Sequence, residues 1–143
     1  AAVDISAPHL PRIFAVTNQA PVVSVIIANF NGEQFLADSV ASALNQTMSD
    51  IEVLVIDDAS TDRSVEIVNA LKRKDDRIRL IEGATRSGPG GARNRGLEAA
   101  RGRWIAILDG DDLMHPARLE TLVHEAETRQ ADICADDLLI FGE

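Results

Sequence analysis

The sequence predicts an α/β fold built on an open, mainly parallel sheet, and three observations carry that expectation. Apolar runs rich in β-branched residues alternate with amphipathic stretches of helical length. The runs are nearly continuous rather than alternating apolar with polar, as strands buried on both faces are. Polar clusters rich in Asp, Asn and Gly recur where these runs end, the edge at which open α/β sheets bind ligands.

The elements follow in order. Residues 1–20 hold Pro8 and Pro11 and no sustained period, and read as an arm or linker, with residues 21–143 forming one domain. Val22 to Ala28 is the first strand, and Glu33 to Asn45 is a helix whose inward stripe is Phe35, Leu36, Val40 and Leu44. Ile51 to Ile56 is the second strand, ending on Asp57-Asp58. The next helix has Ser60 or Thr61 as its expected N-cap and turns Val65, Ile67, Val68 and Leu71 inward. Arg77 to Ile81 reads as a third strand. A helix over Gly91 to Arg101 is entered from the glycine-rich stretch Ser87 to Gly91. Trp104 to Leu108 is a fourth strand, a helix starts near Pro116, and Asp132 to Phe141 reads as a fifth strand. Strand–helix alternation of this length implies right-handed crossovers with helices on both faces of the sheet.

Composition narrows the function classes. The 143 residues carry a formal net charge of −9, which argues against non-specific nucleic-acid binding. It also requires any anionic ligand to be received locally, by a metal ion, arginines or backbone N–H groups. Cys134 is the one cysteine, so neither an intrachain disulfide nor a cysteine-based zinc site is available, and a reducing, cytoplasmic setting is the simpler reading. No apolar run approaches the roughly 20 residues of a membrane span. The final residues read as a strand with nothing after it, so the natural chain is expected to continue.

Three polar clusters fall at strand ends. Asn29-Phe30-Asn31-Gly32 follows the first strand, Asp57 to Asp62 the second, and Asp109-Gly110-Asp111-Asp112 the fourth. In an extended segment residues two apart project to one side, so Asp109 and Asp111 are expected to converge on a cation, with Gly110 admitting a bulky ligand. Hard divalent ions such as Mg²⁺ and Mn²⁺ favour carboxylate and phosphate oxygens. The bland alternative is a solvated acidic turn. Of the adjacent acids Asp57 and Asp58, helix capping accounts for one but not both. The glycines before the third helix expose N–H groups suited to phosphate, although they lack dinucleotide-fingerprint spacing. Arg93 and Arg95 cannot share a helical face, and Arg93, nearer the loop, is the one expected in the cleft.

Together these residues resemble the inverting family 2 glycosyltransferases of the GT-A fold. The matching pieces are Val23 to Asn31, Glu52 to Asp62, Gly91 to Gly96 and Ile107 to Asp112, in one order across about residues 21–142. The resemblance implies a Rossmann-like three-layer α/β/α sandwich, truncated here, that binds a nucleotide-diphospho-sugar, a UDP-sugar by expectation. It implies transfer to a glycan or lipid-linked acceptor hydroxyl with inversion, in polysaccharide or cell-envelope synthesis at the cytoplasmic face of the membrane. Nucleotide-sugar contacts would come from Ala28, Phe30, Asn31, Asp57, Asp58, Arg93, Asp109 and Gly110. Among these, Ala28 and Phe30 would line the base pocket, Asp57 or Asp58 would contact the nucleoside, and Arg93 would approach the nucleotide. Asp109 would lie near the ribose or sugar, and Asp111, with Asp109, would hold Mn²⁺ or Mg²⁺. Ala28 stands where the family often has Pro, and Phe30 where it often has Tyr, which leaves base identity open. The family's general base lies beyond the metal motif, and Asp136 and Asp137 are not assigned that role. The stretch is therefore expected to bind donor weakly and to transfer sugar poorly or not at all. Competing readings are a non-catalytic nucleotide-sugar-binding module and a haloacid-dehalogenase-type phosphatase; the latter needs its Asp-x-Asp early in the domain and followed by Gly-Thr, not late and followed by Asp112-Leu113.

Overall fold

A computed structural model describes residues 20–136. Four strands form one all-parallel sheet: β1 (Val23–Asn29), β2 (Ile51–Asp57), β3 (Ile78–Glu82) and β4 (Trp104–Asp109), in the order β3-β2-β1-β4. The helices are α1 (Leu36–Leu44), α2 (Ser64–Lys72), α3 (Gly88–Ala99) and α4 (Arg118–Arg129). The β-branched runs pair in register, with Ala28 beside Ile56 on one flank and Asp109 on the other.

Side chains alternate across a strand, and that period divides the core into two layers. Val23, Val25, Ile27, Val53 and Val55 pack with Leu36, Val40, Val68, Leu119 and Val123 of α1, α2 and α4. Ile26, Leu54 and Ile56 pack with Ala92 of α3 on the opposite face. A Cβ at Gly96 would lie 2.5 Å from Ile26 Cγ2, so a glycine there lets α3 settle close onto the sheet. The β3–β4 crossover runs through α3 on one face while the first two crossovers use the other. The order therefore reverses between β1 and β4, and a crevice opens at their carboxyl ends.

Several element boundaries differ from expectation for identifiable reasons. Residues 33–35 form a turn, with Phe35 and Leu36 N–H both donating to Gly32 O, so α1 starts at Leu36 and Phe35 is exposed. Ser60 and Thr61 do not cap α2, which begins at Ser64; they face the β1 loop instead. Helix α3 begins three residues early, inside the glycine-rich stretch. Pro116 precedes α4, whose first turn is received by Gln46: its Oε1 accepts Leu119 N–H at 3.1 Å. Asp132 to Asp136 form no strand, and the remainder of that expected fifth strand lies outside the described residues, as does most of the N-terminal arm.

At the amino ends of the strands, away from the crevice, sits a buried acid. Glu52 is 2% exposed and accepts hydrogen bonds from Ser24 Oγ (2.7 Å), Arg79 Nη1 (2.9 Å), and Arg101 N (2.8 Å), Nε (3.0 Å) and Nη2 (2.8 Å). Burial alone would raise its carboxyl, but bonds from Ser24, Arg101 and Arg79 outweigh that and bring it down to about 2. A folded-state value below the ordinary one stabilises the fold above the ordinary value and is lost as pH falls through the folded one. Thermal stability is thus expected to drop between about pH 4.5 and about pH 2, and to drop less in Glu52→Gln. Melting curves across that range test this; identical acid profiles for parent and variant would remove Glu52 from the account.

Candidate functional site

The crevice at the β1 and β4 tips is a cleft of about 300 Å³, lined by Ala28, Asn29, Phe30, Asp58, Arg86, Gly88, Pro89, Ala92, Arg93, Asp109, Gly110 and Asp111. That volume is at the low end of small-molecule sites. Strand register brings the sequence-distant parts together, since Ala28 and Asp109 are direct partners and so project to the α3 side.

The same alternation separates the two adjacent acids. Asp57 pairs with Asn29 in register and shares its face. Its Oδ1 accepts Asn29 Nδ2 (3.0 Å) and its Oδ2 accepts Ser60 N–H (2.9 Å), and it does not line the cleft. Asp58, one residue on, turns to the α3 side. It is 2% exposed and accepts Ser87 N–H, Ser87 Oγ–H (2.7 Å), Gly88 N–H (2.7 Å) and Arg95 Nη2 (2.6 Å). Asp58 therefore caps α3 from a neighbouring strand and uses amide groups that the sequence offers to a phosphate. Burial would raise its carboxyl, yet the bonds from Ser87, Arg95 and Gly88 bring it down to about 2.

Asn31 also stays out of the cleft wall. It adopts a left-handed conformation (φ 51°) and clamps the two loops, donating N–H to Ser60 Oγ and accepting Thr61 N–H on Oδ1 at 2.8 Å. Of the two arginines on α3, Arg93 lines the cleft and pairs with Asp109 (Nη2 to Oδ1, 2.5 Å), whereas Arg95 goes to Asp58. Sequence spacing places them so.

Asp109 ends β4, but Gly110 and Asp111 form a turn closed by Asp112 N–H donating to Asp109 O. The two carboxylates thus share the cleft through a turn rather than by the extended alternation expected. A Cβ at Gly110 would lie 3.2 Å from Ala28 O and 3.3 Å from Asn29 Oδ1, so this glycine permits close approach of the β1 tip as well as lining the cleft. Asp111 is exposed and takes part in none of the cleft's ion pairs. Among the described residues no group of three or more His, Cys, Asp or Glu side chains could hold a metal by itself.

Sequence reading missed the supports of this turn. Ser39 Oγ donates to Asp109 O (3.1 Å), Ser42 Oγ accepts Met114 N–H (3.0 Å), and Gln46 Nε2 donates to His115 O (2.9 Å). Three polar residues at positions 39, 42 and 46, spaced at roughly one helical turn, are the signal that was available. Asp136 is committed elsewhere, held by both Nε and Nη2 of Arg118 at 2.8 and 3.0 Å, and that guanidinium lowers its pKa. Asp137 lies outside the described residues.

Comparisons with known proteins agree with this architecture. A family model described as glycosyl transferase family 2 matches residues 24–142. The succinoglycan biosynthesis protein ExoO of Rhizobium meliloti is 41% identical over 121 residues, 85% of this chain and 34% of that protein. The Escherichia coli UDP-Glc:alpha-D-GlcNAc-diphosphoundecaprenol beta-1,3-glucosyltransferase WfaP is 41% identical over 109 residues, 76% of this chain and 43% of that protein. The structure of S. aureus TarS 1–349 in complex with UDP-GlcNAc superposes with a TM-score of 0.70 at 29% identity, covering 76% of this chain and 32% of that one. The Pyrobaculum calidifontis mannosyltransferase PcManGT in complex with GDP-Man and Mn²⁺ gives 0.68 at 29% identity, over 76% and 33%. The chain spans roughly a third of the length of the first such relatives. Among the described residues no helix is long and apolar enough to cross a membrane.

Proposed function

Because the chain belongs to glycosyl transferase family 2, we propose that its β1–β4 cleft binds a nucleotide-diphospho-sugar and serves as the donor half of an inverting sugar transfer. The observation that carries this reading is the meeting of Ala28, Phe30, Asp58, Arg93, Asp109 and Asp111 in one cleft at the point where strand order reverses. UDP-sugars are the proposed donor class, from the nucleotides named for TarS and WfaP. A glycan or lipid-linked hydroxyl is the proposed acceptor, in polysaccharide assembly, as the names of ExoO and WfaP suggest; the cytoplasmic face of the membrane is the proposed place of transfer.

A divalent ion fits the residues present. Asp109 and Asp111 offer two hard oxygen donors, and an ion such as Mg²⁺ or Mn²⁺ completes its shell with water and substrate phosphate rather than a full protein cage. When bound, it neutralises charge on the leaving nucleoside diphosphate. The chain's own residues do the rest. Arg93 holds Asp109 toward the cleft, Asp58 fixes the α3 entrance that forms one wall, and Ala28 with Phe30 forms the wall on the base side. Asp57 and Asn31 act by holding the β1 and β2 loops together. The carboxylates lining the cleft are Asp58, Asp109 and Asp111, of which the first two are ion-paired, so no general base is assigned. Donor binding without transfer, the behaviour of a non-catalytic module, is the expectation for this chain alone.

Calorimetric titration with UDP, GDP and other nucleoside diphosphates, with and without Mn²⁺, tests the reading. Metal-dependent binding of one of them supports it. Binding of none would sink it, and equal binding with and without metal would remove the ion from it.

A further inference from the structure

We propose that Arg86 is the residue that receives the phosphate charge of a nucleoside diphosphate in this cleft, and that Phe30 contributes by seating it. The inference rests on the donor-binding reading and deepens it. Three arginines reach the cleft or its wall. Arg93 is neutralised by Asp109 and Arg95 by Asp58. Arg86 takes part in no ion pair or hydrogen bond among the described residues; instead its Cζ lies 3.9 Å from the centroid of the Phe30 ring. Both side chains line the cleft, beside Ala28, Arg93 and Asp111.

The geometry gives this pair a function. A guanidinium lying over an aromatic face keeps its N–H donors at its edge, where they stay free for an acceptor. Its backbone is fixed as well, because the next two residues are tied to Asp58 through Ser87 N–H, Ser87 Oγ–H and Gly88 N–H. The result is a planar donor fork held at both root and tip, the form suited to phosphate oxygens. In a protein of net charge −9, and in a cleft whose other cations are already paired, Arg86 is the positive charge left for an anion. One face of the Phe30 ring is occupied by that guanidinium. Phe30 is therefore a positioning residue for Arg86.

NMR titration of the 143-residue chain in Mg²⁺ buffer, with UDP and uridine and with GDP and guanosine, separates the two roles. Arg86→Gln is expected to weaken the diphosphate about tenfold, the order of one lost charge-assisted contact, and to leave its nucleoside within about twofold. Phe30→Leu is expected to weaken the diphosphate selectively too, and Arg86→Lys to restore part of the loss. Equal effects of Arg86→Gln on diphosphate and nucleoside, or none on either, would overturn the inference. So would a Phe30→Leu loss as large for the nucleoside as for the diphosphate, which is the signature of base stacking. Failure of the parent chain to bind either diphosphate would instead sink the donor-binding reading, and this inference with it.

Discussion

Asp58→Ala is expected to destabilise the fold by about 3–5 kcal/mol, the range for breaking a buried, hydrogen-bonded ion pair from one side. The carboxylate is 2% exposed and takes four donors from one loop and one helix. Without it, Arg95 keeps its charge in a partly buried place, and the first turn of α3 loses the acceptor for two N–H groups. That turn is built from Gly88, Pro89 and Gly90, whose intrinsic helix propensity is poor, so nothing local replaces the cap. For a chain of this size the loss corresponds to roughly 10–15 °C in melting temperature. Asp57→Ala serves as the comparison, since it forfeits only bonds to Asn29 and Ser60, of about 1–3 kcal/mol. Thermal denaturation of both variants is the measurement. A melting temperature for Asp58→Ala within about 2 °C of the parent, where the size scaling predicts far more, would show that the cap contributes little. The acid side has the same sign as for Glu52: the folded Asp58 value of about 2 lies below the ordinary 3.8, so its stabilisation disappears as pH falls between them.

Asp111→Asn is expected to abolish the metal-dependent part of nucleoside diphosphate binding while leaving the melting temperature unchanged. Asp109 already answers to Arg93, so Asp111 is the cleft carboxylate with no competing cation. Asparagine preserves the shape and one oxygen but removes the charge that a hard divalent ion seeks. The loss should exceed the roughly 10–100-fold that follows from removing a group merely supporting a metal ligand. Stability should move by under about 0.5 kcal/mol, as for other exposed substitutions. Calorimetry with UDP in Mn²⁺ and in EDTA reads the first quantity directly. If Asp111→Asn binds UDP with the parent's metal dependence, the ion is held elsewhere.

The sequence told more about strands than about what joins them. β1, β2 and β4 were legible because burial on both faces demands unbroken apolar runs, and their boundaries shifted by one residue at most. Helices on both faces of a parallel sheet were expected from the alternation, but the strand order, and with it the place of the reversal between β1 and β4, was not legible. Helix starts were less legible because they depend on distant partners. Ser60 and Thr61 look like caps locally but are spent on Asn31, thirty or so positions earlier, and α3 begins inside a glycine run only because Asp58 receives it. Within the site, helical spacing separated Arg93 from Arg95, and nearness to the loop picked out Arg93. The division of labour between Asp57 and Asp58 was readable in principle from the period of two, once the face carrying the cleft is known. Glu52 was the overlooked signal. A charged residue inside Ile51-Glu52-Val53-Leu54, opposite Ser24 in register, implies a buried counter-charge, which Arg79 and Arg101 supply.

β4 bonds to β1 alone among the described strands, and on its α3-side face Ile105 and Ile107 stand 40% and 39% exposed. Beside them a groove of about 680 Å³ runs along α4, lined by Trp104, Leu122, Val123 and Ile133. A strand margin left unpaired among the described residues can template pairing with an extended chain. A lysine introduced at Ile105 is therefore expected to lower any self-association through that margin, as read by light scattering, at a distance from the donor cleft.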